Sequence, residues 1–328
     1  MRIRVVQLTV VALLLSGVMA EAAQAKRRAQ SRRKPAEASL PCGNALAFQV
    51  LMDRAGFSSG PIDGQLGPNF KSALAAFQSA RNLAVSGKPD CDTWQALDGD
   101  SAKDIVTEYT VTEADIRERY ERQIPTDLNE QAKLPDLGYT SLIERLAERY
   151  HASPLLLRRL NSGKPFLAGR TVSVPNVEPF DAEKRPRTDP AAGDITIVVA
   201  RQDSSLRAVR PDGSILFFAP VTTGSEHDPL PVGDWTVKGA QWHPPFHYNP
   251  DLFWDAKPED TKATIKPGPN NPVGVVWIAL NLEHYGLHGT PAPEQVGHTA
   301  SHGCVRLTNW DAARVTALVK PGTPVQFR

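Results

Sequence analysis

The sequence predicts a multidomain chain: a small all-α three-helix unit, an α+β module, and a mainly β domain of sandwich or barrel type. Three observations lead there. Apolar residues recur at helical spacing as far as residue 97. Between 104 and 177, two short strand patterns enclose a pair of helix patterns. From 194 onward, short β-branched runs alternate with turn residues. A chain of 328 residues with 41% hydrophobic content has room for two or three compact units. Its formal net charge of +1 creates no field that points to nucleic acid.

Residues 1–25 read as a secretory signal peptide. Arg2 and Arg4 give the positive start, Leu13-Leu14-Leu15 centre an apolar run, and Ala23-Gln24-Ala25 offers a small-x-small cleavage site, with Ala20 as a second cut. The competing reading is an uncleaved anchor, because the run is near the lower length limit for spanning a bilayer. No other long apolar run exists, so no stable membrane span is expected after cleavage. Residues 26–41 form a basic linker, with Lys26-Arg27-Arg28 and then Arg32-Arg33-Lys34-Pro35. Such runs are solvated tethers, or are drawn weakly to anionic surfaces.

Residues 42–98 carry the three-helix pattern. Leu46, Val50 and Leu51 share a face and Gly56 suits a helix stop. Pro61-Ile62-Asp63-Gly64 is turn chemistry. Pro68 starts a helix with Phe70, Ala73, Leu74 and Phe77 on one face, and Trp94 and Leu97 close a third. In 104–177, Tyr109-Thr110-Val111 suits a strand and 113–122 is charged and helix-compatible. Leu142, Ile143, Leu146, Ala147 and Tyr150 mark an amphipathic helix. Ser153-Pro154 caps the next one, and Thr171-Val172-Ser173-Val174-Pro175 closes the module as a strand. Residues 178–193 are a linker punctuated by Pro179, Pro186 and Pro190. In 194–328 strands are expected at 195–200, 205–209, 215–221, 236–237 and 275–280, with Pro211-Asp212-Gly213 as a hairpin turn.

The chemistry concentrates in His288-Gly289-Thr290 through Ser301-His302-Gly303-Cys304-Val305-Arg306-Leu307-Thr308-Asn309. A thiol is the strong latent nucleophile there, and an imidazole is the usual group that activates one. His288 lies sixteen positions before Cys304, enough for a returning loop. If the run is extended, His302 and Cys304 point to one face. Three plainer readings compete for Cys304: a buried hydrophobe, a zinc ligand, or half of a disulfide. The spacing matches no common zinc pattern.

The run His288-Gly289-Thr290, the sixteen-residue offset and Ser-His-Gly-Cys-Val-Arg-Leu-x-Asn resemble the signature of the L,D-transpeptidase catalytic domain, the YkuD family. The resemblance extends through Thr223-Gly224, Pro231-x-Gly233-x-Trp235, Gly268-Pro269-Asn270-Asn271-Pro272-Val273-Gly274 and Trp277, covering 194–328. Gly60-Pro61-Ile62-Asp63-Gly64-x-x-Gly67-Pro68, Ala76-Phe77-Gln78, Gly87 and Asp92-Thr93-Trp94 resemble a type 1 peptidoglycan-binding domain. Leu160-Asn161 and Ala168-Gly169-Arg170-x-Val172-x-Val174-Pro175, with the two helices before them, resemble a degenerate LysM-type glycan-binding module. An insertion at 124–136 separates its first strand from its helices, and a packing spacer without ligand is the alternative.

The family resemblance implies a cysteine acyltransferase of cell-wall biogenesis, secreted to the periplasm or wall and needing no metal or cofactor. Its partners would be peptidoglycan stem peptides and glycan, with an outer-membrane protein as a further possible acceptor. Cys304 becomes the nucleophile. His288 is favoured over His302 as base, oriented by a carbonyl near Gly289, and His302 shapes the site. Backbone N–H groups at His302, Gly303 and Cys304 are oxyanion-hole candidates. Arg306 either holds a substrate carboxylate or pairs with an acidic neighbour. Gly289, Ser301, Tyr248 and Trp254 are candidate substrate-binding residues, although Tyr248, Phe253 and Trp254 suit the core of a lid equally well. In the helical unit, the family's helices would bring Cys42 and Cys91 together as a disulfide, leaving Cys304 free. The alternatives are a cysteine hydrolase acting on the same stems and a non-enzymatic wall-binding scaffold.

Overall fold

The structure is a computed structural model that describes residues 40–328 except 103, 122 and 191. The signal-peptide reading and the linker up to residue 39 lie outside the described residues.

Helices α1 (Ala45–Arg54), α2 (Pro68–Ala80) and α3 (Cys91–Ala96) begin where local chemistry favours a start. Asn44 Oδ1 accepts from the Ala47 N–H at 2.9 Å and Asp90 Oδ1 from the Thr93 N–H at 2.8 Å. Pro68 opens α2, where its missing donor costs nothing. Phe48, Phe70, Phe77 and Trp94 fill the core between them. Cys42 and Cys91 are joined as a disulfide, with Cα atoms 5.3 Å apart. Closing a loop of that length stabilises the fold by about 4 kcal/mol through the unfolded chain.

Residues 104–177 run as a strand, four helices and a closing strand. Strands β1 (Val106–Thr110) and β2 (Thr171–Pro175) pair antiparallel. Helices α6 (Leu142–Arg149) and α7 (Pro154–Leu160) are capped by Ser141 and Ser153. Two short helices precede them, α4 (Glu113–Arg117) and α5 (Leu128–Gln131). The helix expected across 113–122 therefore stops early. Glu118 is extended, its carboxylate pairs with Arg145, and the Tyr120 hydroxyl donates to the Asp115 carbonyl at 2.7 Å. Those charges face α6 rather than water.

The linker at 178–193 is laid down against its neighbours rather than hanging free. Ala182 and Ala192 are buried, the Phe180 N–H donates to the Arg149 carbonyl at 2.8 Å, and His243 Nε2 donates to the Ala182 carbonyl at 2.8 Å. Its proline-punctuated backbone finds partners on its neighbours and also within itself, where the Lys184 N–H donates to the Asp181 carbonyl and the Ala192 N–H to the Asp189 carbonyl.

The β domain contains β3 (Thr196–Ala200), β4 (Ser205–Val209), β5 (Ile215–Pro220), β6 (Gly233–Trp242), β7 (Phe246–Tyr248), β8 (Ala263–Ile265), β9 (Val276–Leu280), β10 (Gly286–His288), β11 (Val305–Arg306) and β12 (Pro324–Phe327). Eight of these form one mixed sheet in the order β11-β10-β9-β6-β12-β3-β4-β5, and β7 and β8 form a separate hairpin. The ends of the order meet. Thr222, just past β5, exchanges both backbone hydrogen bonds with Arg306 on β11, at 2.9 and 3.0 Å. The sheet is thereby curled onto itself around Ile197, Leu206, Val237, Ile278, Leu287, Val305 and Phe327. Helix α8 (Asn309–Leu318) packs against β9 and β10.

The three units share cores. Phe218 of β5 is fully buried among the phenylalanines of the helical unit, and 56–58 pairs with its backbone through Ser58 N–H to Phe218 O and Phe218 N–H to Gly56 O, both 2.9 Å. This covers an end strand whose backbone would otherwise be open to pairing. Val50 and Ile62 pack among Leu146, Leu157 and Val172 of the middle module. The 124–136 insertion, with α5, packs on the β7–β8 hairpin around Leu137, Tyr248 and Ile265.

Candidate active site

Strand register brings the chemistry together. β10 pairs parallel with β11, Leu287 opposite Val305 and His288 opposite Arg306. His288 and Arg306, opposite each other across the two strands, lie on one face, and Cys304 immediately precedes β11. The charge of Arg306 is felt at both His288 and Cys304.

His288 is only 4% exposed. Its Nδ1 lies 2.7 Å from the Gly289 carbonyl, which can only accept, so Nδ1 carries the proton and Nε2 keeps its lone pair. The ring stacks on Trp277 at 5.5 Å. Burial, helped by the Arg306 charge, pulls its pKa down to about 3, against the opposing Gly289 carbonyl. The imidazole is neutral across the physiological range.

Cys304 is a free thiol, partly buried. It lies in a bend at 302–304 rather than in an extended run, so the condition under which His302 and Cys304 would share a face is not met. Gly303 takes φ +96, and a Cβ there would lie 2.7 Å from Tyr285 Cε1, so only glycine fits the turn. Sγ faces the His284 carbonyl at 3.5 Å. Burial pushes the thiol pKa up, while the Gly286 N–H and the Arg306 charge pull the other way. No hydrogen bond joins Sγ to His288 among the described residues. The N–H groups of His302, Gly303 and Cys304 meet no acceptor among them either.

The other candidate residues separate. Arg306 has no acidic partner among the described residues, so the ion-pair reading of it fails. His302 turns away from the thiol: its Nε2 lies 2.9 Å from Asp255 Oδ1, and its ring meets Phe253 at 5.0 Å. Trp254 is 58% exposed, stacked on His227 at 4.4 Å and tilted near His302. It lies at the open side of the site. Three substrate-binding expectations are corrected. Tyr248 is buried in the hairpin core with its hydroxyl on Asp260 at 2.8 Å. Ser301 is buried and donates to the Cys304 carbonyl at 2.6 Å, bracing the turn. Gly289 is backed by Asn309, and a Cβ there would lie 2.1 Å from Asn309 Oδ1.

Sequence reasoning missed Glu148, His227 and Asp255 as parts of this surround. Glu148 reads as the wet side of an amphipathic helix, and the other two lie in loops without periodicity. Among the described residues, no three His, Cys, Asp or Glu side chains converge to hold a metal ion.

A curled, mainly β domain that brings a free thiol, a neutral imidazole and a guanidinium unpaired among the described residues onto two paired strands and the bend before one of them has the equipment of acyl transfer. Comparison with known proteins agrees. Residues 194–327 match the YkuD family, the L,D-transpeptidase catalytic domain, and residues 44–97 match a putative peptidoglycan binding domain. The chain therefore carries a YkuD-family L,D-transpeptidase catalytic domain, an acyltransferase at family level, behind a peptidoglycan-binding domain. It is 24% identical over 188 residues to the putative L,D-transpeptidase YkuD of Bacillus licheniformis, covering 56% of this chain and 92% of that one. It is 33% identical over 114 residues to the probable L,D-transpeptidase YbiS of Escherichia coli K12, covering 33% of this chain and 36% of that one. Among solved structures, an L,D-transpeptidase from Mycobacterium smegmatis aligns at 20% identity with a TM-score of 0.33, covering 41% of this chain and 58% of that one.

Proposed function

We propose that this protein is a periplasmic or wall-associated L,D-transpeptidase that works through a Cys304 thioester. The observation that carries the reading is the fixed tautomer of His288: Nδ1 is tied to Gly289 O at 2.7 Å, so Nε2 keeps its lone pair, and the strand of His288 pairs with the one that Cys304 directly precedes. In this reading the Cys304 thiol gives its proton to His288 Nε2. Sγ then attacks the carbonyl of the L,D bond between diaminopimelate and D-alanine in a tetrapeptide stem. The S–C bond forms, the C–N bond breaks, and the imidazolium returns its proton to the departing D-alanine amine. The N–H groups at 302–304 are the oxyanion donors in this reading, and Arg306 holds a stem carboxylate.

The thioester next meets an amine. A second stem's diaminopimelate gives a 3-3 cross-link, an outer-membrane protein's amine gives a tethered protein, and water gives trimming. The helical unit would hold the wall nearby. Export rests on the 1–25 pattern and on a disulfide that favours an oxidising compartment. LysM-type glycan binding by the middle module rests on the resemblance of 160–175 and the two helices, α6 and α7, before β2.

The test is mass spectrometry of tetrapeptide muropeptides incubated with the protein, beside Cys304→Ala. A dimer joined through two diaminopimelates, absent from the control, supports cross-linking. Tripeptide and free D-alanine alone assign the acceptor to water or to a protein. No thiol-dependent change sinks the enzyme reading for this substrate and leaves the scaffold.

A further inference from the structure

The polar face of α6 does not point to water. Glu144 and Glu148, four residues apart and so on one side of the helix, both reach into the β domain. Glu144 Oε1 accepts from Asn270 Nδ2 at 2.7 Å. Glu148 accepts from Asn309 Nδ2 at 3.1 and 3.2 Å and from the Tyr139 hydroxyl at 2.9 Å. Asn309 spends its whole carboxamide here. Its Oδ1 accepts from the Val275 N–H at 3.1 Å, and its Nδ2 also donates to the Pro269 carbonyl at 3.1 Å. The same carboxamide is wedged between two glycines: a Cβ on Gly274 or Gly289 would lie 2.0 or 2.1 Å from Asn309 Oδ1. The Gly289 carbonyl is the acceptor that fixes His288.

We propose that Glu148, supplied by the middle module, is a positioning residue for the site: it holds Asn309 against Gly289 and so fixes the orientation and tautomer of His288. The inference rests on His288 being the base in the proposed reaction. Glu148 meets no cation at this contact. Its neighbours are Tyr139 and Glu144 on its own module and the neutral Asn309 on the other. Burial pushes it up to about 8, which disfavours its charged form, so a glutamine is the conservative replacement. The middle module is then part of the catalytic machinery's support and not a spacer.

The test uses the full chain labelled with nitrogen-15, with Glu148→Gln, Glu148→Leu and Tyr139→Phe. Imidazole nitrogen shifts report the His288 tautomer, assigned by the signals lost in His288→Gln. Acylation of Cys304 by imipenem, followed by intact mass, reports function. The wild type should carry the proton on Nδ1, and Glu148→Gln should keep that signature and acylate within about threefold of it. Glu148→Leu should show a mixture of tautomers and a limiting acylation rate lower by about 10- to 100-fold, with the half-saturating concentration nearly unchanged. If that variant does not fold, Tyr139→Phe decides, with an expected slowing of about 3- to 10-fold. A wild-type tautomer and rate in Glu148→Leu, or in Tyr139→Phe when it decides, would overturn the proposal. A wild type that imipenem never acylates indicts the enzyme reading instead, while the tautomer measurement still judges the positioning.

Discussion

The two halves of the site are built differently. On the His288 side every contact is packed: the ring is buried against Trp277, its Nδ1 is tied to Gly289, and Gly289 is pressed on Asn309, which is wholly buried. On the Cys304 side the chain bends, Gly303 sits in a left-handed turn, and His302 is held by Asp255, which solvent reaches. The hairpin that carries Asp255 rests in turn on the 124–136 insertion. The difference teaches that the imidazole is fixed by close packing, which tolerates no volume change. The thiol is fixed by a few short polar contacts, which can re-form. Substitutions behind His288 should therefore cost stability and rate together, and those in front should cost rate alone.

The largest effect tests the thiol itself. Cys304→Ala should abolish the covalent imipenem adduct, and an adduct that persists moves the nucleophile elsewhere. His288→Gln should follow, slowing acylation by about 10²- to 10⁴-fold. A rate near wild type would return the base role to His302. Gly289→Ala comes next. Its Cβ must displace Asn309 Oδ1, so Tm should fall and acylation should slow by about 10- to 100-fold. A drop in rate without a drop in Tm would contradict the packed back wall. Smallest are Asp255→Asn and Trp254→Ala, expected to alter acylation by about 2- to 5-fold with Tm unchanged. Calorimetry and stopped-flow acylation on the same samples separate the two classes.

Acidity sharpens the same contrast. Glu148 is pushed up to about 8 from 4.5, and Asp311 up to about 7 from 3.8, both by burial. A carboxyl raised on folding contributes stability that is fully present below its unfolded value and is lost as pH rises through its folded one. Tm should therefore decline between about pH 4.5 and 8, and Glu148→Gln should make that decline shallower. Equal slopes would remove Glu148 as a source. His288 runs the other way: its value falls on folding, so its contribution is present above about 6.5 and lost as pH drops toward about 3. An acid limb of acylation near pH 6.5 would contradict a neutral, buried His288.

Much of this was legible in the residues, and the failures have physical causes. Cys304, His288 and the carbonyl beside Gly289 could be named because the motif is local and its chemistry narrow. The strands at 196–200, 205–209 and 276–280, expected at 195–200, 205–209 and 275–280, followed from alternation and turn residues. Helix α8 gave no such signal, since Asn309, Trp310, Asp311, Ala312, Ala313, Val315 and Thr316 are all buried and no apolar stripe stands out. Tyr248 and Trp254 looked alike in a polar, aromatic stretch, yet one fills the hairpin core and the other faces water. Glu148 was invisible because an i, i+4 pair of glutamates on an amphipathic helix normally faces solvent. What it touches lies some 160 residues away in sequence, in Asn309. The shared cores at Phe218 and Ile62 left no trace in composition, since nothing local distinguishes a hydrophobe that packs at home from one that packs on a neighbour.

The seam at Phe218 has a mechanical meaning. With Phe57 and Phe218 buried together and 56–58 hydrogen-bonded to β5, the helical unit cannot swing like a bead on a string. If it grips the wall polymer, the catalytic thiol stands at one set distance from the grip, as the jaws of a caliper stand from each other. Under the proposed reaction such a molecule would select bonds by how far along the strand they lie from the point of attachment, and not only by their chemistry.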